Sequence, residues 1–222
     1  MRSKRLHALL KRGLDIAVAG SVLSVVVPLV GVAGAAVKLD SPGPMFYRSR
    51  RVGQDGRPFD LLKLRTMSAA PAAQAGPQVT ASTDARITRV GRWLRRTKLD
   101  ELPQLWNVVI GDVSLVGPRP EAPRYVERYP AEYEEILRVR PGLTDRATLL
   151  YVDEESILGA AADPEAFYVA EVMPRKMALY RTYVQNPSLR EDVSILTETG
   201  AKVLRRLFAS ISAPTTPPES AP

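Results

Sequence analysis

The sequence has no cysteine and a single histidine among its 222 residues, and both shortages restrict its chemistry. Without cysteine there is no disulfide framework, no zinc site with thiolate ligands and no thiol nucleophile. With His7 alone, a two-histidine metalloprotease site is excluded and a Ser-His-Asp triad is disfavoured. Glycine-rich phosphate loops and dinucleotide-binding fingerprints are also missing, which argues against P-loop nucleotidases and Rossmann oxidoreductases. Carboxylates, lysine and arginine must therefore carry any catalysis.

The composition is that of a folded protein with a positive charge. Hydrophobic residues make up 45% of the chain and charged residues 25%, which excludes wholesale disorder and fits about one domain. The 31 Lys and Arg against 24 Asp and Glu give a net charge of +7. A positive protein suits an anionic partner: nucleic acid, acidic lipid or a phosphorylated substrate. Charge alone does not choose among them.

An uncharged apolar run extends from Ile16 to Val37. As a helix it is about 33 Å long, enough to cross a bilayer core of roughly 30 Å, and it exceeds the apolar region of a secretory signal peptide. Lys11 and Arg12 precede the run, Lys38 follows it, and Pro28 interrupts it. The positive-inside tendency and the helix-breaking proline together favour a re-entrant membrane helix hairpin that enters one leaflet and returns. A full span and a buried soluble helix are the alternatives.

The rest of the chain predicts an α+β, mainly helical fold. Two runs rich in aromatic and branched residues flank the turn 53–56, which indicates a small β-hairpin, and the Ala- and Pro-rich residues 68–83 predict a mobile loop. We therefore expect a basic N-terminus and membrane segment at 1–40, a cytoplasmic domain at 41–207 and a disordered tail at 208–222.

Residues 86–96 predict a basic amphipathic helix. Ile87, Val90, Trp93 and Leu94 share one arc of the helical wheel, and four arginines lie opposite. Such a helix can lie in the membrane interface with Trp93 at headgroup level, bind nucleic acid, or present a solvated face above a core. Because the apolar run lies upstream, membrane contact is favoured as strongly as nucleic-acid binding and a solvated face taken together.

The adjacent carboxylates Asp100 and Glu101 precede Pro103, a residue favoured in the first turn of a helix. A helix N-terminus favours negative charge, either on these side chains or on a nearby phosphate. Adjacent side chains point in different directions, so one can face a substrate while the other binds a cation. The structural alternative is a helix-capping pair, because Thr97 and Asp100 have the spacing of a capping box.

Three basic residues are candidates for binding an anion. Arg119 is held between two prolines in the GPRP motif at 117–120, where it can bind phosphate through two hydrogen bonds or close a structural ion pair. Lys63 and Arg65 lie two residues apart on the second predicted strand, which places their side chains on one face.

These motifs resemble the bacterial sugar transferase family, the monotopic polyprenyl-phosphate phosphoglycosyl transferases, in a form that has the catalytic core only. The most specific matching segment is LDELPQLWNVVIGDVSLVGPRP at 99–120. Further matching segments are KRGLD at 11–15, RRVGQDGRPF at 50–59, KLRTM at 63–67, GRWLR at 91–95 and RPGLT at 140–144. Members of this family attach the first sugar phosphate of a surface glycan to a lipid carrier.

The resemblance implies roles for individual residues. Asp100 falls on the family's nucleophile, Glu101 on the glutamate that supports Mg²⁺ at the diphosphate, and Pro28 on the proline that breaks the re-entrant helix. The implied phosphate or nucleotide contacts are Lys63, Arg65, Arg95 and Arg119. In the implied reaction, Asp100 attacks the sugar-bearing phosphate of a UDP-sugar, UMP leaves, and polyprenyl phosphate then takes the sugar phosphate from the aspartyl intermediate.

The implied partners are a UDP-sugar, polyprenyl (undecaprenyl) phosphate and the lipid bilayer, at the cytoplasmic face of the bacterial inner membrane. A homodimer is left open, and nucleic acid is not expected. The sequence departs from the family pattern at two places. Ser49 stands where relatives commonly have Gln, which changes local hydrogen bonding in the first strand of the hairpin. DRATLLYVDEES follows RPGLT in place of Gly and an aromatic-Ala-Gln segment, and this difference leaves the sugar unassigned. The competing interpretations are a membrane-anchored basic binding protein without catalysis and transfer from a different nucleotide sugar.

Overall fold

The computed structural model describes residues 2–68 and 84–212. The predicted mobile loop, apart from Ser68, lies outside the described residues. The predicted tail begins too early, because residues 208–212 belong to the last helix, and its remainder lies outside the described residues.

The fold is mainly helical with two small sheets, in agreement with the predicted α+β class. The helices are α1 (Arg2–Asp40), α2 (Arg89–Thr97), α3 (Gln104–Ile110), α4 (Pro123–Val126), α5 (Pro130–Ile136), α6 (Arg146–Leu150), α7 (Glu154–Gly159), α8 (Pro164–Phe167), α9 (Met173–Gln185) and α10 (Leu189–Ser212). The strands are β1 (Phe46–Val52), β2 (Pro58–Leu64), β3 (Ser114–Val116) and β4 (Gly142–Thr144). A 3₁₀ turn at Leu99–Glu101 and a π-helical turn at Tyr168–Val172 precede α3 and α9 respectively.

β1 and β2 form the predicted antiparallel hairpin. The edge of β2 that faces away from β1 binds the side chain of Asn107. Asn107 of α3 accepts a hydrogen bond from the Leu62 amide at 3.0 Å and donates one to the Asp60 carbonyl at 2.9 Å. The amide of Asn107 thus satisfies backbone groups that a third strand would otherwise bind. This contact fixes α3 beside β2, the strand that carries Lys63.

α1 is a single helical element that includes Pro28 and is apolar on its exposed surface. Its segment Ala8–Asp40 is long and apolar enough to cross a membrane, with a mean hydropathy of 2.4 in a window that is only 11% buried. Exposed apolar side chains along α1 include Ile16, Val22, Val25, Val27, Leu29 and Val32. An exposed apolar surface of this length is typical of a membrane-associated segment.

Both ends of α1 contact the same globular body. Near the N-terminal end, the buried Asp15 accepts hydrogen bonds from Ser114 Oγ at 2.8 Å and from the Leu115 amide at 3.0 Å. Near the C-terminal end, Ala33 and Val37 pack in a buried cluster with Leu64, Leu94 and Leu99. The middle of the helix contributes Ala19 to a second cluster with β2, α3 and β3. One stripe of α1 therefore packs inward along much of its length.

β3 and β4 bring two distant motifs together through a pair of glycines. The two strands pair in parallel, the Gly117 amide donates to the Thr144 carbonyl at 3.1 Å, and the Gly142 amide donates to the Pro118 carbonyl at 2.8 Å. A Cβ atom on Gly142 would lie only 2.1 Å from the Gly117 nitrogen. The close approach requires glycine and joins GPRP to RPGLT in one junction that carries Arg119.

We expect Gly142→Ala to destabilise the protein by about 2–3 kcal/mol, because the added methyl group must push two backbones apart. The measurement is the thermal unfolding midpoint in detergent, which should fall by several degrees. Gly200→Ala is the matched control, because a Cβ atom on this residue of α10 meets nothing within 4 Å. The control should unfold at the wild-type temperature or above it. Equal midpoints for the two variants would contradict the tight glycine junction.

Candidate active site

The two adjacent carboxylates lie in the Leu99–Glu101 turn, between α2 and α3. Lys98 ends α2 in the left-handed conformation, with φ of 59°, and its amide donates to the carbonyls of Leu94 and Arg95. This reversal directs the next residues toward the protein interior. The capping-box alternative is wrong, because Thr97 Oγ1 donates to the Trp93 and Leu94 carbonyls and no side chain caps the turn or α3.

Two cations hold Glu101. Its Oε1 accepts hydrogen bonds from Lys63 Nζ at 3.0 Å and from Arg119 Nη2 at 2.5 Å. Burial raises the pKa of Glu101, but the attraction of Arg119 and Lys63 outweighs burial and leaves the pKa well below its usual value. The Glu101 carboxylate raises the pKa of Arg119 in turn. Glu101 is therefore a fixed, ionised group at neutral pH.

Asp100 has the opposite environment. It is 6% exposed, and its Oδ1 has no hydrogen-bond partner within the described ranges 2–68 and 84–212. Burial, followed by repulsion from Glu101, raises the pKa of Asp100 to about 6. Neighbouring carboxylates whose pKa values are pushed apart in this way are typical of sites where the two groups have different chemical tasks. Asp100 retains a free lone pair, as a nucleophile requires.

We expect one aspartate of the metal-free protein to titrate near pH 6. Half of the Asp100 carboxyl groups should be ionised at that pH and about one tenth at pH 5. A carbon-13 NMR titration of the aspartate carboxyl groups measures this, and Asp100→Asn identifies the resonance. A nucleophile with this pKa should lose activity as the pH falls through 6, because only the ionised form attacks. A midpoint near 4 for Asp100 would contradict this environment.

The structure also brings Arg95 to the dyad. Arg95 Nη2 and Nε donate to the Glu155 carboxylate at 2.9 and 3.3 Å, and Nη1 donates to Thr66 Oγ1 at 3.4 Å. The positive charges of Lys63, Lys98 and Arg95 all act on Asp100. Lys63, Arg95 and Arg119 thus surround the two carboxylates, an arrangement that suits a polyanionic ligand.

Arg65 is not part of this cluster. Its five donor positions bind the end of α1 and the turn that follows; the acceptors are Pro44 O, Ser41 Oγ, Pro42 O, Val37 O and Ser41 O. β2 ends at Leu64, so the strand alternation that predicted a face shared with Lys63 no longer applies. Arg65 connects β2 to the membrane segment, and the predicted phosphate contact finds no support in its geometry.

The two cations that precede the apolar run also bind protein. Lys11 Nζ donates to Asp192 at 2.8 Å, and Arg12 donates to the Val108 and Val109 carbonyls at 2.7 and 2.8 Å. The Arg12 contacts satisfy carbonyls in the last turn of α3. Trp93 is 44% exposed, whereas its neighbour Leu94 is fully buried. The position of Trp93 is compatible with membrane contact.

Three contributors to the site were absent from the sequence prediction. Lys98 acts through its charge, and its left-handed backbone sets the direction of the dyad. Glu155 pairs with Arg95 across 60 positions of sequence, a separation at which no local pattern signals contact. Asp15 fixes α1 to β3, and its burial could not be inferred from a charge next to an apolar run.

The model of the family described as bacterial sugar transferase matches residues 6–206 of the chain. The protein is a member of the bacterial sugar transferase family. This sugar transferase is 40% identical to a UDP-glucose:undecaprenyl-phosphate glucose-1-phosphate transferase of Caulobacter vibrioides, over 87% of this chain and 69% of the relative. It is 35% identical to a UDP-N-acetylgalactosamine-undecaprenyl-phosphate N-acetylgalactosaminephosphotransferase of Aeromonas hydrophila, over 90% of this chain and 44% of the relative. The names of these relatives differ in the sugar and agree on the lipid carrier.

Proposed function

We propose that this sugar transferase moves a sugar 1-phosphate from a UDP-sugar to undecaprenyl phosphate through a covalent aspartyl intermediate. The observation that carries the proposal is the contrast within the dyad: Asp100 has a buried oxygen without a partner, while Glu101 is held by Lys63 and Arg119. The names of the relatives supply the classes of donor and acceptor.

The first step is a displacement at phosphorus. Asp100 Oδ1 attacks the phosphorus that bears the sugar, the bond from this phosphorus to the bridging oxygen breaks, and UMP leaves with the electron pair. Negative charge develops on the departing phosphate, and the cations Lys63, Arg95 and Arg119 are positioned to stabilise it. In the second step, an oxygen of undecaprenyl phosphate attacks the same phosphorus, which restores the Asp100 carboxylate and yields undecaprenyl diphosphate sugar.

The dyad fits a Mg²⁺ ion shared with a substrate diphosphate. Mg²⁺ commonly binds one or two carboxylates together with phosphate oxygens and water, and it does not need an all-protein cage. Among residues 2–68 and 84–212, no group of three His, Cys, Asp or Glu forms such a cage. Glu101 would hold the ion, because it stays ionised and is fixed by two cations. A bound Mg²⁺ neutralises diphosphate charge and so favours departure of UMP.

The proposal includes a monotopic placement at the cytoplasmic face of the bacterial inner membrane. Two observations support it: α1 exposes an apolar surface, and both ends of α1 contact one globular body. Contacts of both ends with one globular body support a placement in which the two ends lie on the same side of the bilayer. A segment that enters and leaves by one leaflet meets both conditions, and Pro28 removes a backbone hydrogen bond near its middle.

Cysteine labelling can test this placement, because the chain has no native cysteine. We expect a membrane-impermeant maleimide to leave Ser3→Cys and Arg57→Cys unlabelled in intact cells and to label both in inside-out vesicles. Arg57 is chosen because it is exposed beyond the membrane segment, and exposed Ser24, within the apolar run, is the control that should resist labelling in both preparations. Labelling of Ser3→Cys alone from outside would indicate a full span.

The reaction itself is tested with purified protein, Mg²⁺ and a panel of UDP-sugars, first without and then with undecaprenyl phosphate. Without the lipid, we expect a burst of up to one UMP per active site; with it, we expect turnover with ping-pong kinetics. A basic binding protein without catalysis would release no UMP from any donor. The donor that gives turnover would also identify the sugar, which the differing relatives leave open.

A further inference from the structure

The carboxylate of Glu155 binds the guanidinium group of Arg95, whose positive charge acts on Asp100. Glu155 lies in α7, and its two oxygens accept from Arg95 Nη2 at 2.9 Å and from Nε at 3.3 Å. Paired contacts of this kind are also how a guanidinium binds a phosphate group. Arg95 Nη1 is engaged by Thr66 Oγ1, so all three nitrogens of Arg95 have partners. An incoming phosphate can therefore pair with Nε and Nη2 of Arg95 only if Glu155 moves away.

The surroundings of Glu155 permit this exchange. Its side chain is 35% exposed, so water can solvate the carboxylate after it leaves Arg95. The Arg95 side chain is 16% exposed, so the pair is partly open to water. Ion pairs in contact with water contribute little net stability and can be replaced by a stronger ligand. A diphosphate carries more charge than one carboxylate and binds the same donors. Release of Glu155 thus needs little free energy.

The neighbours of Glu155 keep α7 in place during the exchange. Asp153 pairs with Arg206 of α10, and Glu154 pairs with Lys176 of α9. The Lys176 side chain is 6% exposed, and its ammonium group lies 5.2 Å from the centre of the Tyr168 ring. Three consecutive acidic residues thus bind three different helices, and Glu155 is the one that binds Arg95 of α2. Its release need not detach the rest of α7.

We propose that Glu155 is a displaceable counter-ion of Arg95: it neutralises the guanidinium in the empty site and yields it to the diphosphate of the nucleotide substrate. The inference rests on the proposed function, because that function supplies the diphosphate. It assigns to Glu155 a competitive role, in which each binding event must replace an internal carboxylate. Glu155 therefore lowers the affinity of the site for anions.

Calorimetric titration with UDP and with inorganic pyrophosphate tests this competition. We expect Glu155→Gln to bind both anions about fivefold or more tightly than wild type, because glutamine keeps the size of the side chain and loses its charge. Glu171→Gln is the matched control: it makes the same change in net charge at an exposed pair with Arg175, and it should bind both anions as wild type does. In an Arg95→Lys background, Glu155→Gln should tighten binding much less, because the two-point pair is already lost.

A fluorescent label can detect the movement. Ser156 is exposed next to Glu155, and Ser156→Cys would be the only cysteine in the chain. An environment-sensitive dye at this site should change emission when UDP binds to the protein with Glu155, and it should change much less in the Glu155→Gln background.

The possible results separate this inference from the proposed function. Equal UDP affinity in wild type and Glu155→Gln would overturn the counter-ion role and leave the transferase proposal intact. Weaker binding in Glu155→Gln would also overturn it, because Glu155 would then be a support that orients Arg95. Tighter binding of both anions by Glu155→Gln, without UMP release from any UDP-sugar by the wild type, would support the counter-ion role and contradict the proposed reaction.

Discussion

Asp100→Asn should remain folded and lose sugar-phosphate transfer by about three orders of magnitude or more, because a neutral amide cannot form the acyl phosphate. The variant should also unfold at a higher temperature at pH 7. The folded-state pKa of Asp100 is raised to about 6, so its ionised form disfavours folding above that pH, and asparagine removes the buried charge. Activity and stability should therefore change in opposite directions at this position.

Mass spectrometry distinguishes a nucleophile from a metal ligand. Wild type incubated with the preferred UDP-sugar alone should gain the mass of a sugar phosphate on the peptide that contains Asp100, and Asp100→Asn should gain none. Rates that require a ternary complex, with no burst of UMP and no modified peptide, would make Asp100 a metal ligand in a direct displacement. Normal activity of Asp100→Asn would show that Asp100 has no catalytic role.

Glu101→Gln should reduce kcat by about two to three orders of magnitude. The substitution leaves Lys63 and Arg119 without the carboxylate that separates their charges, so both side chains should shift away from their positions. It should also weaken Mg²⁺ binding, and excess Mg²⁺ should restore part of the activity. Glu171→Gln is the charge-matched control and should retain wild-type kcat.

The difference in stability between wild type and Glu101→Gln should decrease as the pH falls. The folded-state pKa of Glu101 lies well below its usual value, so its ion pairs stabilise the protein above the unfolded-state pKa, which is about 4.3. That contribution is lost as the pH falls toward the folded-state pKa. The difference in unfolding temperature between wild type and variant should thus be full at pH 7 and shrink below about pH 4. A constant difference would indicate a packing defect.

The sequence predicted those features that depend on residues close to one another along the chain. The hairpin follows from two β-prone runs around a glycine turn, and the place of Asp100 and Glu101 before α3 follows from Pro103. The helical wheel was wrong about the start of the helix, because α2 begins at Arg89 and Ile87 lies before it. A Cβ atom on Gly91 would lie 2.1 Å from the Thr66 carbonyl oxygen, so α2 packs at Gly91 against the segment that follows β2. Trp93, on the same predicted arc as the buried Leu94, is exposed.

Contacts between distant residues explain the remaining errors. Arg95 belongs to the predicted row of arginines opposite the apolar arc, yet Glu155, 60 residues further along the chain, binds it. Arg65 lies just beyond the end of β2 at Leu64, and its partners at Val37 and residues 41–44 are at least 21 positions away in sequence. The path of the membrane segment stays a prediction, since α1 is one element that includes Pro28.

The five hydrogen bonds of Arg65 fasten the C-terminal end of α1 to the residue that follows β2, the strand that carries Lys63. Under the proposed function, this link couples the depth of α1 in the bilayer to the position of the catalytic residues. Under the proposed function, the acceptor phosphate arrives at headgroup height and diffuses only in two dimensions. A vertical error of a few ångströms would separate it from the aspartyl phosphorus, since attack requires a distance of about 3–3.5 Å. In the proposed function, Arg65 would therefore act as a spacer between the bilayer and the catalytic residues.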